Sequence, residues 1–270
     1  MNAIADLNDA PTVLTIAGFD PSGGAGIVAD IRTILHFGCR PAAAITSLTF
    51  QNAKEFFGAS HQSAEAVRAQ VEAVAAAIEI AAVKIGMLPT AEMVREVAHL
   101  IRELKLPPPV IDPVMESTSG GKLMSDDAFE VFVMELLPLA RVVTPNIPEA
   151  EKLGGVNIYD EDTMCQAAAR IRELGSRAAL IKGGHQRQGS GVRGQGSEKL
   201  EAIDLLDNEG EVTIFRGEWI DAPPVRGTGC MLSSAIAANL ACGGLLPDAV
   251  AAAKNFVTAA IQNSKLKTQN

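Results

Sequence analysis

The sequence has few aromatic residues and fewer basic than acidic ones, which argues against nucleic acid as a ligand. It contains one Trp, one Tyr and nine Phe, and its 23 Lys and Arg against 32 Asp and Glu give a net charge of −9. Proteins that bind nucleic acid use basic grooves and stacking rings. An acidic chain can still hold an anionic ligand where backbone amides and a few cations converge. We therefore expect a small-molecule ligand.

Paired cysteines and clustered histidines are also missing. The four cysteines, Cys39, Cys165, Cys230 and Cys242, are widely spaced without a CxxC pair, and the four histidines are scattered. This spacing argues against a disulfide framework and against a zinc site. Any divalent metal is expected to be a hard ion such as Mg²⁺, held by carboxylates and phosphate.

Long apolar runs and a signal-peptide pattern are lacking too. Charges interrupt every apolar stretch well before 18 residues, and the first residues, MNAIADLNDAP, have no basic segment followed by an apolar one. We expect a cytoplasmic protein with no membrane contact. Residues 1–11 are predicted to be a flexible tail, and residues 12–270 a single domain.

Apolar runs alternate with segments of helical period along most of the chain. This order predicts an α/β fold, with a mostly parallel central sheet and helices on both faces. Near the C-terminus, Ile203–Leu206 and Glu211–Arg216 flank a tight turn and predict an antiparallel hairpin at the sheet edge. The predicted strands are Thr12–Ala17, Ala43–Phe50, Ala81–Ile85, Pro109–Asp112, Val142–Thr144 and Ala178–Lys182. The predicted helices are Ala64–Ile80, Ala91–Leu104, Asp126–Leu137, Thr163–Leu174, Met231–Ala241 and Pro247–Ser264.

Ligands of open parallel sheets bind beyond the carboxyl ends of the strands, so the segments that follow the strands are the candidates for a binding site. The first strand leads into Gly18–Gly26 (GFDPSGGAG), which contains four glycines. Such a run indicates either a turn that needs positive φ or a close approach of backbone to a ligand. It matches neither GxGxxG nor a Walker loop, which excludes those two phosphate-binding motifs. A later polar, glycine-rich stretch, His185–Lys199, predicts a mobile surface loop.

Two further strands are followed by polar residues that fit an anion or a metal. Asn146 and Glu149 lie three residues apart at a helix start, where Asn146 is either a simple N-cap or, with Glu149, a holder of Mg²⁺ or phosphate. Lys182 stands before two glycines at the end of its strand. It is either an exposed loop lysine or a point charge for a ligand phosphate.

The most informative run is Gly227-Thr228-Gly229-Cys230, directly before an apolar helix. Glycine-rich backbone at a helix start presents several N–H groups at the positive end of the helix dipole, which predicts an anion hole. A cysteine in that first turn is expected to have a depressed pKa and therefore a chemical role. The alternative is a small buried apolar residue, the interpretation given to the other three cysteines.

The order of these motifs resembles the ribokinase-like superfamily and, within it, the hydroxymethylpyrimidine/phosphomethylpyrimidine kinases of thiamine biosynthesis. The resemblance extends from about Thr12 to Ser264, and it includes Asp112-Pro-Val-Met in mid-chain. The run Thr15–Ile27 and the cysteine of GTGC are its most specific parts, since ribokinases and pyridoxal kinases usually carry Asp where Cys230 stands. Arg226 departs from the family, in which His is common before GTGC.

The resemblance implies a role for each candidate residue. Glu116–Leu123 would be a loop that closes over the site. It further implies ATP as phosphoryl donor, Mg²⁺ and a homodimer. The implied pyrimidine-binding residues are Gly18, Asp30, Gln51, Met87 and Val114; the nucleotide-binding residues are Asn146 and Lys182; the metal-binding residues are Glu149 and Asp112; and the catalytic anion hole is Gly227, Thr228, Gly229 and Cys230.

The implied activity is ATP-dependent phosphorylation of 4-amino-5-hydroxymethyl-2-methylpyrimidine and then of its monophosphate. A pyridoxal kinase of the same fold is the alternative, because pyridoxal is also a flat heteroaromatic ring with a hydroxymethyl group. A non-catalytic pyrimidine-binding module is a third hypothesis, which loss of Asn146, Glu149 or Lys182 would favour; all three are present.

Overall fold

The computed structural model describes residues 7, 9–52, 54–116, 120–184, 201–222 and 225–268. Its centre is a nine-stranded sheet in the order β3-β2-β1-β4-β5-β6-β7-β8-β9. The strands from β2 to β7 in this order are parallel, whereas β3 at one edge and β8 and β9 at the other are antiparallel. The strands are β1 (Thr12–Phe19), β2 (Arg40–Gln51), β3 (Phe56–His61), β4 (Ile80–Ile85), β5 (Val110–Ile111), β6 (Val142–Val143), β7 (Ala178–Lys182), β8 (Glu201–Asn208) and β9 (Glu211–Glu218).

Helices cover both faces of this sheet, as the sequence predicts. The strand side chains alternate between the faces: Leu14 and Ile16 pack into one core, and Val13 packs into the other. Helices α2 to α6 lie over the first core, and α1, α7 and α8 over the second. The helices are α1 (Gly26–His36), α2 (Ala64–Ala75), α3 (Ala91–Glu103), α4 (Asp126–Val131), α5 (Ile147–Gly154), α6 (Glu161–Glu173), α7 (Thr228–Ala241) and α8 (Leu246–Thr268).

Side-chain caps start several of these helices but not the two that matter most for the site. Ser63 caps α2, Thr90 caps α3 and Asp160 caps α6, each accepting from a backbone N–H in the first turn. The N-cap residues of α1 and α7 are Ala25 and Gly227, and neither helix has a side-chain cap. The first-turn N–H groups of α7 have no partner within the helix and can donate to another acceptor, whereas the backbone of Gly26 in α1 already bonds to Cys230.

The predicted α/β class, the central strands and the C-terminal hairpin are confirmed, but some elements differ. Strand β3 was missed; it follows a turn in which Asn52 Oδ1 accepts from the N–H groups of Lys54 and Glu55. Helix α2 ends at Ala75, because Ile80 pairs with Thr12 as the first residue of β4. Helix α4 ends at Val131 and continues as a π turn and a 3₁₀ turn towards Pro138, which has no N–H to donate.

Two predictions fall largely outside the described residues. The predicted tail is described only at residues 7 and 9–11, and the predicted loop His185–Lys199 is not described. The predicted closing loop is described at both ends, where Glu116 and Lys122 form an antiparallel bridge. No helix in the described part of the chain is both long and apolar enough to cross a membrane.

Candidate functional site

A cavity of about 470 Å³ lies at the carboxyl ends of the parallel strands. Its wall contains every predicted site residue except Asp30. These residues come from loops that are far apart in sequence, and the parallel topology brings them to one edge of the sheet. The predicted residues that line the cavity are Gly18, Gln51, Met87, Asp112, Val114, Asn146, Glu149, Lys182, Gly227, Thr228, Gly229 and Cys230.

The two glycine-rich segments of the sequence meet at this cavity. Gly227 has a φ of 74°, and a Cβ there would collide with the carbonyl oxygen of Gly24. Gly26 has a φ of 57°, and a Cβ there would collide with the carbonyl oxygen of Gly18. Only glycine fits either position. The close contact places the first turns of α1 and α7 side by side, so that the positive ends of two helix dipoles are close to the cavity.

An ion pair lies beside the start of α7. Lys182 Nζ donates to Asp112 Oδ1 at 2.8 Å, and the Thr144 hydroxyl lies 3.4 Å from the same oxygen. A Cβ at Gly229 would lie 3.1 Å from Asp112 Oδ2 and 3.3 Å from Lys182 Nζ. Burial alone would lower the pKa of Lys182, but the negative charges of Asp112 and Glu149 raise it overall. The lysine is therefore a permanent positive charge at the predicted anion hole.

Asn146 and Glu149 form a capping box at the start of α5. Asn146 Oδ1 accepts from the N–H of Glu149 at 2.9 Å, and Glu149 Oε2 accepts from the N–H of Asn146 at 2.8 Å. Both side chains nevertheless line the cavity. Burial raises the pKa of Glu149 to about 7; Asp112 adds to the shift, and the charge of Lys182 opposes it. Asn146 and Glu149 therefore cap the helix and line the cavity at the same time, so the two interpretations of this motif are compatible.

The expected low pKa of Cys230 is wrong. Its thiol is at the start of α7, as predicted, but burial raises its pKa to about 11. The nearby charge of Lys84 and a hydrogen bond from the Gly26 backbone oppose this rise, while the carboxylates of Asp30 and Asp112 add to it. The helix dipole is thus outweighed by burial and by two negative neighbours. At neutral pH Cys230 is a thiol.

The structure places Asp30, which the resemblance assigns to the pyrimidine site, outside the cavity wall. Asp30 is fully buried, and its carboxylate accepts from Lys84 Nζ at 2.8 and 3.0 Å, from Thr15 Oγ1 at 2.6 Å and from Ser234 Oγ at 2.9 Å. These donors join α1 to β1, β4 and α7 beside the cavity, whose wall includes Lys84. Asp30 is therefore a structural acceptor that holds the site's supporting elements together.

Lys84 is the partner that the sequence analysis missed. It is fully buried, and a Cβ at Gly86 would lie 2.9 Å from its Nζ, so the glycine leaves room for the ammonium group. The signal was present: Lys84 interrupts an apolar strand, and Asp30 occupies the buried face of α1 between Ile27 and Ile34. A buried charge without a partner is costly in either place. The buried lysine and the buried aspartate could therefore be predicted to form an ion pair.

Gln51 belongs to a polar network at the other end of the cavity wall. Its Oε1 accepts from Arg226 Nη2 at 2.7 Å, and its Nε2 donates to Thr49 Oγ1 at 2.9 Å. The same guanidinium contacts Asp20 Oδ2 at 3.4 Å and the carbonyl oxygen of Asn52. Arg226, at the position where the resembling family commonly has His, therefore links the GTGC turn to strand β2.

The acidic groups at the cavity fit a phosphate-bound Mg²⁺ better than a metal held by protein alone. Asp112 and Glu149 supply two carboxylates, and within the described residues no group of three or more His, Cys, Asp or Glu side chains could hold a metal. Mg²⁺ is commonly bound through one or two carboxylates together with substrate phosphates and water. The residues present fit that mode of binding.

Comparison with known proteins gives one consistent result. A family model described as phosphomethylpyrimidine kinase matches residues 20–270. The chain is similar to hydroxymethylpyrimidine/phosphomethylpyrimidine kinase of Streptomyces coelicolor, with 43% identity over 251 residues that cover 93% of this chain and 88% of that protein.

Solved structures show the same architecture. A phosphomethylpyrimidine kinase from Clostridium difficile aligns with a TM-score of 0.79 and 36% identity, over 93% of this chain and 99% of that one. An ADP complex of Bacillus subtilis pyridoxal kinase aligns with a TM-score of 0.81 and 33% identity, over 93% and 92%. The predicted ribokinase-like fold and the resemblance are thus confirmed.

Proposed function

Because the chain belongs to the phosphomethylpyrimidine kinase family and is a kinase, we propose that it acts twice on one pyrimidine. It phosphorylates 4-amino-5-hydroxymethyl-2-methylpyrimidine with ATP, and then phosphorylates the monophosphate to the diphosphate. The observation that carries this proposal is the juxtaposition of Lys182, Asp112 and Gly229 at the start of α7. Cation, carboxylate and uncapped backbone amides meet there in one cavity.

The chemistry needs positioning and charge stabilisation more than covalent participation. The N–H groups of Thr228, Gly229 and Cys230 would stabilise the negative charge of the transferred phosphoryl group, and Lys182 would add a positive charge. Asp112 holds Lys182 in place through the 2.8 Å ion pair. Both transfers need this arrangement, because the phosphoryl group carries negative charge in each.

The pyrimidine would bind at the wall formed by Gly18, Gln51, Met87 and Val114. A Cβ at Gly18 would lie 3.1 Å from Met87 Sδ, so the backbone of β1 and the thioether form a closely packed apolar surface. The Gln51 amide offers a donor and an acceptor, which suit an aminopyrimidine ring. Because Thr49 and Arg226 occupy both groups, binding of the ring would exchange hydrogen bonds rather than satisfy empty ones.

A bound Mg²⁺ would screen the phosphate charges, and the residues that would hold it are Asp112 and Glu149. Glu149→Gln tests this role with an unusually clean change, because a glutamine oxygen can still accept from the N–H of Asn146 and keep the capping box. We expect turnover to fall far more than pyrimidine binding, with thermal stability unchanged. Full turnover in EDTA would remove the metal from the proposal.

Pyridoxal is the second candidate substrate, because the Bacillus subtilis pyridoxal kinase shares the fold over most of the chain. Cys230, in place of the aspartate usual in that group, favours the pyrimidine. The deciding experiment supplies the purified protein and MgATP with hydroxymethylpyrimidine, its monophosphate, pyridoxal or ribose, and measures ADP release and phosphorylated product. We expect the highest kcat/KM for the first two. A higher kcat/KM for pyridoxal would make pyridoxal the substrate. If none of the four compounds causes ADP release, the proposed kinase activity is refuted.

A homodimer and a cytoplasmic location remain predictions. Analytical ultracentrifugation of the purified chain tests the first, and fractionation of cells expressing it tests the second.

A further inference from the structure

Cys39 and Cys242 are neighbours in space although 203 positions separate them. Cys39 follows the end of α1, and Cys242 is the C-cap of α7. Their Sγ atoms lie 3.6 Å apart. Both were interpreted from sequence as small buried residues, and the kinase reaction uses neither.

The two thiols differ in their access to solvent. Cys39 is fully buried, and its Sγ also lies 3.5 Å from the carbonyl oxygen of Ala238. Cys242 is exposed. Burial raises the pKa of Cys39 to about 12, and its hydrogen bond with Cys242 adds to the shift. An oxidant would therefore reach Cys242 first, and a sheltered second thiol stands beside it.

We propose that Cys39 and Cys242 form a reversible disulfide that ties the end of α1 to the end of α7. A disulfide needs its sulfurs about 2.05 Å apart, so they must approach by about 1.5 Å. Glycines beside each cysteine make this movement possible. Gly38 has a φ of 74° and Gly243 a φ of 82°, and a Cβ at either would meet nothing within 4 Å.

Hydrogen peroxide is a sufficient oxidant, and the reaction proceeds in two steps. The Cys242 thiolate attacks one peroxide oxygen; an S–O bond forms, the O–O bond breaks, and the departing hydroxide takes a proton to become water. The sulfur of Cys39 then attacks the sulfenic sulfur of Cys242; the S–S bond forms, the S–O bond breaks, and the hydroxyl leaves with the Cys39 proton as a second water. Two thiols are oxidised while one peroxide is reduced to two waters.

The bond would join two helices whose opposite ends form the candidate site. Helix α1 begins at Gly26 and α7 at Thr228, both in the cavity wall. A cross-link across so long a loop restricts the unfolded chain strongly, so the oxidised protein should be more resistant to heat. For a chain of this size we expect the melting temperature to rise on the order of 5–10 °C.

The test uses the full-length protein and does not depend on its kinase activity. The protein is treated with hydrogen peroxide, alkylated, digested and analysed by mass spectrometry, with melting curves recorded in parallel. We expect one cross-linked peptide pair containing Cys39 and Cys242, two hydrogens lighter than the reduced pair, and a higher melting temperature. Dithiothreitol should reverse both changes.

Matched variants make the result decisive. C242S alters an exposed side chain and should abolish both the cross-link and the thermal shift, whereas C165S should keep both. The proposal is overturned if Cys39 stays alkylatable while Cys242 proceeds to sulfinic acid. A cross-link to Cys165 or Cys230 instead, or no oxidation at all, would overturn it equally.

Discussion

Two lysine–aspartate pairs lie near the candidate site, and their surroundings differ. Lys84 of β4 pairs with Asp30 at 2.8 Å, and neither side chain has exposed surface. Lys182 of β7 pairs with Asp112, also at 2.8 Å, but these side chains keep 12% and 5% of their surface. Neither member of the first pair has exposed surface, although Lys84 lies beside the cavity, whereas both members of the second pair form part of the cavity wall and keep some exposed surface.

The difference lies in what surrounds each pair rather than in the pairs themselves. Hydroxyls from Thr15 and Ser234 complete the coordination of Asp30, so no position remains for a ligand. Beside Lys182 the backbone is glycine, and the start of α7 leaves space for an anion. In our proposal the same residue types therefore stabilise the fold in one place and bind an anionic ligand in the other, because burial determines which partners can reach them.

The largest expected effect is the loss of stability on opening the Lys84–Asp30 pair. Lys84→Met leaves the Asp30 carboxylate buried without its counter-charge, which costs about 3–5 kcal/mol of unfolding free energy. Chemical denaturation measures it. In the double variant with Asp30→Asn, the amide oxygen can accept from one of the Thr15 and Ser234 hydroxyls and the amide nitrogen can donate to the other, so much of the loss should return. A loss below about 1 kcal/mol for Lys84→Met would show that the pair is not structural.

Opening the cavity-wall pair should affect turnover instead. Lys182→Met removes the positive charge beside the anion hole, and loss of such a stabilising group typically costs about 10²–10³ in kcat. Stability should fall less than with Lys84→Met, because Asp112 can be reached by water through the cavity. Steady-state kinetics and melting curves on the two lysine variants test the comparison directly. Equal loss of stability in both would erase the distinction.

The sequence made the meeting of Lys182 and Asp112 predictable, but the pairing of Lys84 with Asp30 much less so. Lys182, Asp112 and Asn146 follow apolar strands, and the parallel topology gathers such positions at one edge, so their meeting could be predicted. Asp30 and Lys84 lie within a helix and a strand, where only a rule about buried charges links them. Strand β3 was missed for a similar reason: its six residues carry a weak periodic signal, and the strand depends on pairing with β2.

The pKa of Cys230 is a second property that the local sequence could not predict. Its place at a helix start was read correctly, and the dipole there favours a thiolate. The opposing influences are burial and the carboxylates of Asp30 in α1 and of Asp112 directly after β5, and no local sequence pattern contains them. A pKa is set by the whole environment of the group, so its direction could not be read from one turn.

Cys230 lies under the influence of both pairs, and its replacement should separate the two transfers. If its thiolate removes the proton of the hydroxymethyl group, Cys230→Ala should slow the first transfer roughly 10²-fold and leave the second nearly intact, because a phosphate oxygen needs no base. Its pKa of about 11 means that the thiolate fraction, and with it the first rate, should rise about tenfold per pH unit below that value. Rates measured separately from the alcohol and the monophosphate decide between the roles.

Gly229→Val provides the contrast for that measurement. A side chain at this position would press on both members of the Lys182–Asp112 pair, so both transfers should be damaged. If Cys230→Ala slows both steps equally, the cysteine belongs to the anion hole and is not a base.

The smallest expected effect concerns a third charged pair, Arg226 with Asp20, which is the most open of the three, with 20% of the Arg226 side chain exposed. Gln51 joins this pair to the cavity through its 2.7 Å hydrogen bond from Arg226. Gln51→Met keeps the length of the side chain and removes its donor and acceptor, so hydroxymethylpyrimidine should bind more weakly by about 1–3 kcal/mol. Pyridoxal should lose less, since it has no exocyclic ring amine for the amide to recognise.

Calorimetric titration of both compounds into Gln51→Met and the unaltered protein measures the difference. Arg226→Met serves as the matched control: it frees Gln51 Oε1 without removing the amide, and the preference for the pyrimidine should survive. Equal losses for the two ligands in Gln51→Met would mean that this residue supports the cavity wall without discriminating between rings.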